Sequence, residues 1–479
     1  MTEASAACEH PRSKSADLLT IGFGTSATMW TLAYAARLIE QHLSSPRLVF
    51  ILLCVGAVAL LACHVTGGFI LGRYAGRSSR GGAKAGAISG LVNLLAVASA
   101  FGGDQPNQLR PTAPLWIGGT LAVATVLTAL GAAWGCRQRP PNATVGDWTG
   151  GVATIAAATT FVLLGVGGFV TGLDEGLAVV DWPNTETYNM FLYPLERMTG
   201  GVFLEHSHRL FGSLVGLITL VLTVQVLLDE RRRGPKVLAL LALLFVIGQG
   251  VLGGLRVTGR FTLSANPADT RPSVVLAIVH GTFGQVVFAT LVALAVLRSH
   301  SWRAPPLPRV AAGCGADRAL GALLTVFLLI QLVAGALVRH FSWALQKLRF
   351  ELTVPPEHLL TAGHHALVVH VTLAVLVALI AVAAGVRAWG LYPDVALLRR
   401  LGSALMLLVL LQVALGIAAL IVTGNDAPDN PPTLGDAIVT TAHQVGGAAL
   451  LALSIMLTLW TRRLLTRPAE IPSARAPAP

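Results

Sequence analysis

The sequence predicts an all-α polytopic membrane protein with about twelve transmembrane helices. Of its 479 residues, 54% are hydrophobic and 12% are charged, and the mean hydropathy is +0.69, unlike a water-soluble domain with a polar shell. Apolar runs of about 20 residues, the length that crosses a bilayer as a helix, recur along nearly the whole chain. The short alternating segments of a membrane β-barrel are absent from the sequence.

Clusters of Pro, Gly, Arg and Asp divide the chain into twelve apolar runs, and each run is predicted to form a helix. The runs fall at about 18–36, 48–72, 85–101, 114–135, 151–171, 207–228, 236–255, 274–297, 317–338, 364–386, 397–423 and 437–460. The first run is interpreted as a retained span. A cleaved signal peptide ending near Ala35 is the alternative, although few positive charges precede this run.

The stretch RQRPPNATVGDW, from Arg137 to Trp148, is predicted to separate two parts of the chain. Residues 1–147 form a four-helix N-terminal membrane module whose role the sequence does not indicate. The other eight helices are predicted to form an all-α core of two pseudo-symmetric four-helix bundles, at 148–310 and 311–465. Residues 466–479 are predicted to be a disordered tail.

The formal charge of +11 is explained by the short segments between runs. Lys and Arg are concentrated in alternate segments, such as Arg73 to Lys84 and Arg231 to Lys236, as the positive-inside rule and anionic lipid require. This asymmetry predicts a cytoplasmic N-terminus in the cell inner membrane. It also removes the need for a nucleic-acid partner.

Two segments of the core repeat each other in sequence. QGVLGGLRVTG, from Gln249, resembles QVALGIAALIVTG, from Gln412. Each glutamine precedes a histidine, His280 or His443, by 31 residues. The repeat predicts an internal duplication.

An upstream histidine extends the repeat in each half. His208 lies 72 residues before His280, and His370 lies 73 residues before His443. Each half therefore carries one histidine on its second helix and one on its fourth. In the predicted topology each histidine falls within roughly the first two turns of its helix, which places the imidazoles near the outer surface. A histidine inside a span is a functional-site hypothesis; the alternative is a hydrogen bond to a neighbouring helix.

A small residue follows each of these histidines by four positions, on the same helical face. Small residues favour close helix packing, but they also leave room for a flat macrocycle. Paired imidazoles facing a planar slot suggest haem with two axial histidines, one haem per half. Zinc or copper would need a third donor that recurs in both halves, and the five cysteines show no C-x-x-C spacing. The small residues are Gly212, Gly284, Ala374 and Gly447, with Gly216 one turn further.

One carboxylate distinguishes the two halves. Glu205 lies three residues before His208 and shares its face, whereas Leu367 holds the equivalent position in the second half. This asymmetry indicates a reactive half and an accessory half. The alternative is a solvated residue at the helix end that pairs with Arg209 or Arg197.

Three other histidines are set apart from these sites. His206 lies about 200° from His208 around the helix and is predicted to face elsewhere. His364 and His365 lie off the His370 face and are predicted to be interfacial, although either could replace His370 as a ligand.

The order and spacing of several motifs resemble those of the CtaA-type haem A synthases, over about residues 148–465. The motifs are GGFVTGLDEGLAVVDWP, EHSHR, QGVLGGLRVT, the His280 segment and TAHQVGGAALLA. Members of this family convert haem O to haem A for cytochrome oxidase. The chain departs from the family pattern at Val371, where an Arg often follows the second-half histidine, and it lacks cysteine pairs in the outer loops.

The resemblance implies two four-helix bundles with different haems. His208 and His280 would bind the substrate haem O, and Glu205 would be the catalytic carboxylate. His370 and His443 would hold a haem b cofactor. The implied partners are haem O synthase, membrane lipid and an electron donor or acceptor, and a homo-oligomer is compatible with the sequence.

Two other functions fit part of the pattern. A di-haem electron-transfer cytochrome would place its haems near opposite membrane surfaces, whereas the four histidines here are predicted to lie toward one side. A haem-binding assembly factor without enzymatic activity would carry the same ligands. Glu205, present in only one half, favours a reaction over passive electron transfer.

Overall fold

The computed structural model describes residues 15–258, 273–305, 308–311, 313–347, 356–424 and 432–467. The side chains of 342–347 and 356–360 lie outside this description. The helices in the described ranges are, in chain order, α1 (Ala16–Glu40), α2 (Pro46–Ala75), α3 (Ser79–Val97), α4 (Ala113–Arg137), α5 (Gly151–Gly172), α6 (Gly200–Asp229), α7 (Arg233–Val257), α8 (Val274–Arg298), α9 (His300–Arg303), α10 (Cys314–Lys347), α11 (Pro356–Gly390), α12 (Ala396–Gly424) and α13 (Leu434–Leu464).

The all-α membrane class is confirmed, since a helix forms at each of the twelve predicted runs. In the described part of the chain, eleven helices are long and apolar enough to cross a membrane, and α1 and the short α9 are not among them. The described strands are the two-residue pair β1 (Arg309–Val310) and β2 (Leu465–Thr466), which run parallel. Most of the predicted tail, from residue 468 on, lies outside the described residues.

Helix α1 has polar contacts with α3. The Ser26 hydroxyl lies 2.9 Å from the Ser89 hydroxyl, and the Trp30 indole donates to the Asn93 amide oxygen at 3.1 Å. All four side chains are buried. The serines and threonines of α1 lower its hydropathy, and α3 satisfies the hydrogen bonds of Ser26 and Trp30.

Glycines allow α2 and α4 to pack closely. A Cβ added at Gly68 would lie 2.1 Å from the carbonyl oxygen of Thr128, and one at Gly131 would lie 2.1 Å from that of Val65. Any larger residue at either position would push the backbones apart. The N-terminal helices therefore cross by the close backbone approach that small residues permit in membranes.

The described chain divides into two compact units. The first contains residues 1–166, 175–250 and 298–300, and the second contains 167–174, 251–297 and 301–479. The predicted boundaries at residues 147 and 310 stay predictions.

Helices α10 to α13 build the main core of the second unit, from leucine, valine and alanine side chains. At one end of this core, Asp317 accepts a hydrogen bond from Arg387 at 2.7 Å and another from the Tyr392 hydroxyl. This pairing satisfies a carboxylate that is only 6% exposed. The core fixes the helices that carry His370 and His443.

Candidate functional site

His370 on α11 and His443 on α13 lie side by side in the second unit. Their ring centroids are 6.3 Å apart and their planes are inclined at 79°. Two metal–nitrogen bonds of about 2 Å, with each nitrogen about 1 Å from its ring centroid, would place two imidazoles on one iron with centroids about 6 Å apart. The pair therefore fits two axial ligands of a single haem iron.

A glutamine and a glycine on α12 hold the ring of His443. The amide nitrogen of Gln412 donates to the His443 carbonyl at 2.9 Å and lies 3.1 Å from the ring Nδ1. One turn along the helix, a Cβ added at Gly416 would lie 2.9 Å from the ring Cε1. Gln412 fixes the ring by hydrogen bonding, and Gly416 leaves the space that the ring edge occupies.

A glutamine and a glycine on α10 contact His370 of α11 in the same way. The amide nitrogen of Gln331, on α10, donates to the His370 carbonyl at 2.9 Å and lies 3.1 Å from Nδ1. A Cβ added at Gly335 would lie 3.0 Å from the ring Cε1. Each glutamine thus ties the backbone of one histidine to the neighbouring helix, and each glycine leaves room for the edge of the ring.

The glutamine and the glycine that contact each ring share a sequence pattern. The pattern Q-x-x-x-G occurs as QGVLG from Gln249, QLVAG from Gln331 and QVALG from Gln412. In the first of these, a Cβ added at Gly253 would lie 3.3 Å from Cε1 of His280. A glycine four residues after a glutamine therefore backs three of the four repeat histidines.

The small residues on the histidine helices have different surroundings. A Cβ added at Gly212 meets no atom within 4 Å, and one at Gly216 lies 3.8 Å from Val246. One at Gly447 lies 3.3 Å from a methyl of Leu332. Gly284 is buried and Ala374 is half-buried. Their role as the surface on which a macrocycle rests stays a prediction.

His364 and His365 differ from His370 in exposure. Both side chains are exposed, whereas His370 is half-buried beside His443. This arrangement favours His370 as the ligand.

His208 and His280 belong to different units. His208, on α6, lies in the first unit and follows the helix start, Gly200, by eight residues. His280, on α8, lies in the second unit and follows the helix start, Val274, by six. Their pairing around one iron stays a prediction. No group of three His, Cys, Asp or Glu side chains that could hold a metal ion is present among the described residues.

Glu205 is buried at 4% exposure and both of its oxygens accept hydrogen bonds. Oε1 accepts from Arg209, one helical turn along α6, at 2.7 Å, and Oε2 accepts from the backbone N–H of Val179 at 3.0 Å. The sequence alternative of a pair with Arg209 is present, but the pair is buried and not solvated. Arg209 also donates at 2.7 Å to the carbonyl oxygens of Val179, Asp181 and Asn184.

His206 contacts the chain between α5 and α6, residues 173–199, which we call the α5–α6 loop. Its Nδ1 lies 3.0 Å from the Thr185 hydroxyl, and its ring centroid is 5.2 Å from that of Tyr193. The side chain is fully buried. His206 therefore anchors this loop to α6, a role that residue spacing did not predict.

Known proteins match the part of the chain that contains Glu205 and the four repeat histidines. The family described as cytochrome oxidase assembly protein, COX15-CtaA, matches residues 185–455. A heme A synthase from Granulibacter bethesdensis is 31% identical over 285 residues, which cover 56% of this chain and 68% of that relative. No solved structure matches the chain. The resemblance inferred from the motifs is confirmed, and the chain belongs to the COX15-CtaA family of cytochrome oxidase assembly proteins.

Proposed function

We propose that this protein is a haem A synthase, an oxidoreductase that oxidises one methyl group of haem O to a formyl group and supplies haem A to cytochrome oxidase. The observation that carries the proposal is the family match over residues 185–455, which contains Glu205 and the four repeat histidines. With water as the oxygen source, the methyl group and one water molecule give the formyl group and release four electrons and four protons. With dioxygen, the methyl group and one O2 molecule give the formyl group and one water molecule. The protein therefore has to bind the porphyrin, exchange electrons with a partner and handle protons.

We place a haem b cofactor between His370 and His443. The centroid separation of 6.3 Å supports this assignment. The glutamine and glycine that contact each histidine support it as well. A bound haem b would accept or donate single electrons during the oxidation. Gln331 and Gln412 would help to fix the positions of the two rings by donating to the backbone carbonyls of His370 and His443.

We assign the substrate haem to His208 and His280 and the catalytic carboxylate to Glu205. Arg209 and the Val179 N–H hold the two carboxylate oxygens in place. A carboxylate fixed in this way can stabilise positive charge that develops at the substrate edge. It can also accept a proton released from the methyl carbon.

The proposed setting is the cell inner membrane, with a cytoplasmic N-terminus and the histidines toward the outer side. The excess of Lys and Arg in alternate segments supports this orientation. Haem O synthase as the donor of the substrate, an electron partner and a homo-oligomer belong to the same proposal.

The test is to express the full chain together with haem O synthase and to separate the extracted haems by chromatography. We expect haem A from the intact chain. In Glu205→Gln, which keeps the side-chain shape and removes the charge, we expect haem O to accumulate while the b-type absorbance persists. Haem O left unchanged by the intact chain would rule out the proposed function.

A further inference from the structure

The N-terminal module contacts the part of the chain that the family match covers. The module, residues 1–147, lies outside the matched segment, 185–455. Its α3 and α4 are joined by residues 98–112, which we call the α3–α4 loop. This loop packs against residues 188–196 of the α5–α6 loop, and both segments belong to the first unit.

Backbone groups make the closest of these contacts. A Cβ added at Gly102 would lie 2.0 Å from the carbonyl oxygen of Leu192, so there is no room for a side chain where the two loops meet. The Tyr188 hydroxyl donates to the Asp104 carbonyl at 2.6 Å. Contacts between fixed backbone atoms define the relative position of two loops more closely than contacts between flexible side chains.

Further contacts extend the same interface. The backbone N–H of Asn189 donates to the Asn107 side chain at 3.0 Å, and Arg110 pairs with Glu196 at 2.9 Å. The ion pair is partly exposed and contributes little by itself. An apolar cluster of Ala98, Phe101 and Ala113, with Phe191 and Leu192 packed against it, lies beneath these polar contacts.

Helix α1 contacts the site helix directly. Trp30 packs edge to face on Phe211, with ring centroids 5.9 Å apart, and Tyr34 stacks on Phe203 at 5.3 Å. Near the start of α6, Arg37 donates to the carbonyl of Met198 at 3.2 Å. The module therefore packs on α6 as well as on the loop that precedes it.

The same α5–α6 loop holds the proposed catalytic carboxylate. The Val179 N–H donates to Glu205, and Arg209 donates to three carbonyl oxygens of the loop beside the carboxylate. The Asp181 side chain accepts from the backbone N–H groups of Glu186 and Thr187 at 2.9 and 2.8 Å, which links this half of the loop to the half that the module contacts. A continuous set of short contacts therefore runs from Gly102 to Glu205.

We propose that the N-terminal module is an intramolecular brace that positions the α5–α6 loop and, through it, Glu205 and Arg209. The role of the brace in catalysis rests on the proposed function of Glu205. The module residues act through their contacts with the α5–α6 loop and α6 and are therefore positioning residues. Loosening the brace lowers haem A formation and leaves the His370–His443 site intact.

The experiment compares Gly102→Ala with Gly118→Ala in the purified full-length protein. The Gly102 substitution places a methyl group against the Leu192 carbonyl, whereas a Cβ at Gly118, in the same module, meets no atom within 4 Å. For Gly102→Ala we expect about tenfold faster amide hydrogen exchange in residues 185–198 and 200–209. We also expect a several-fold lower ratio of haem A to haem O, with unchanged b-type absorbance. Gly118→Ala should match the wild type.

A charge-swapped pair keeps the test decisive if Gly102→Ala does not fold. Although the ion pair itself contributes little, Arg110→Glu places two like charges beside each other and should weaken the brace by repulsion. Adding Glu196→Arg should restore the protection from exchange and the ratio of haem A to haem O. Unchanged exchange in both Gly102→Ala and Arg110→Glu would overturn the brace. Faster exchange with an unchanged haem A ratio would overturn its positioning role. If the wild type makes no haem A, the proposed function fails, and the exchange of residues 200–209 still decides whether the module braces Glu205.

Discussion

The imidazoles of His370 and His443 lie edge to face, with centroids 6.3 Å apart and planes inclined at 79°. Neither helix sets this geometry alone, because Gln331 on α10 and Gln412 on α12 hold the two rings from behind. The site is therefore a property of the four-helix packing in the second unit.

Replacing either ring of this pair should remove the b-type haem. We expect His370→Ala and His443→Ala each to abolish the low-spin b-type absorbance, because one axial ligand cannot keep a six-coordinate iron. Absorbance and electron paramagnetic resonance spectra of the purified protein provide the measurement. His364→Ala and His365→Ala are matched controls on the same helix. A spectrum that survives in His370→Ala but is lost in either control would assign the ligand to that control position.

Filling the space behind a ring should displace it without removing the ligand. A Cβ at Gly416 would lie 2.9 Å from His443 Cε1, so Gly416→Ala has to move the ring or the helix. We expect a destabilisation of about 1–3 kcal/mol, as for overpacked cores, together with altered g-values of the low-spin haem. Gly390→Ala is the control, since a Cβ there meets no atom within 4 Å. Identical spectra for the two variants would show that the space at Gly416 does not determine the position of the His443 ring.

Replacing the amide side chain of Gln412 should change the midpoint potential of the haem more than the affinity for haem. Gln412→Leu removes the donor to the His443 carbonyl and the contact at Nδ1. We expect a loss of about 1 kcal/mol for the hydrogen bond and a shifted midpoint potential, because an apolar side chain replaces an amide dipole beside a haem ligand. Potentiometric titration measures the shift. Gln412→Glu also removes the donor but adds a negative charge, which favours the oxidised iron, so we expect this variant to bind haem with a lower potential than the Leu variant.

Arg209 should be intolerant even of lysine. Its guanidinium reaches three loop carbonyls and Glu205 at once, whereas an ammonium is a compact point charge without the planar fork. We expect Arg209→Lys to lower the yield of haem A at least as strongly as Glu205→Gln, and to leave the b-type absorbance unchanged. Haem chromatography checks the first outcome and absorbance spectroscopy the second. Wild-type haem A from Arg209→Lys would show that the loop contacts are dispensable.

The acid stability of the protein should depend on Glu230, just beyond α6. Burial by itself raises the pKa of Glu230, but hydrogen bonds from Arg232 and the charges of Arg232 and Arg298 outweigh it and lower the pKa to about 2. A carboxyl whose pKa is depressed on folding stabilises the fold above its unfolded pKa of about 4.3 and loses that contribution as the pH falls through the folded value. The stabilisation is therefore full at neutral pH and disappears between about pH 4 and pH 2.

Glu230→Gln tests this dependence. The substitution leaves Arg298, which is 1% exposed, without that carboxylate, and we expect a loss of about 3 kcal/mol at pH 7. Thermal unfolding in detergent at several pH values should show the gap to wild type narrowing below about pH 4. Asp104→Asn is the control, because that side chain is 92% exposed. A gap that is constant down to about pH 2 would contradict the assignment to Glu230.

Hydropathy predicted the helices, but not where each of them begins. The apolar run at 207–228 belongs to a helix that starts at Gly200, and the run at 364–386 belongs to one that starts at Pro356. Helical hydrogen bonding continues through polar residues such as Glu205 and His206, which a hydropathy profile reads as the end of the span. His370 is consequently the fifteenth residue of α11, and His208 and His443 are the ninth of α6 and the tenth of α13. Of the four, His280, the seventh residue of α8, lies within the first two turns as predicted.

The partners of the site residues could not be predicted to the same extent. The repeat of Gln249 and Gln412 was visible, but the role of the glutamines required helix packing. The contacts of Arg209 with three carbonyls depend on the path of the α5–α6 loop, for which the sequence has no periodic signal. The contact between Gly102 and Leu192 joins positions 90 residues apart and follows only from the tertiary fold.

Helix α1 determines the parity of the membrane crossings. At about 1.5 Å per residue, its 25 residues extend roughly 37 Å, enough for a bilayer core of about 30 Å. Buried Ser26 and Trp30 have polar partners on α3. This face of α1 therefore contacts protein and not lipid, which explains why the helix can be less apolar than the others. With α1 as a twelfth crossing, the start of α1 and the end of α13 lie on the same side of the membrane. If α1 does not cross, they lie on opposite sides, and each later loop, including Arg231 to Arg233, changes compartment relative to the start of α1.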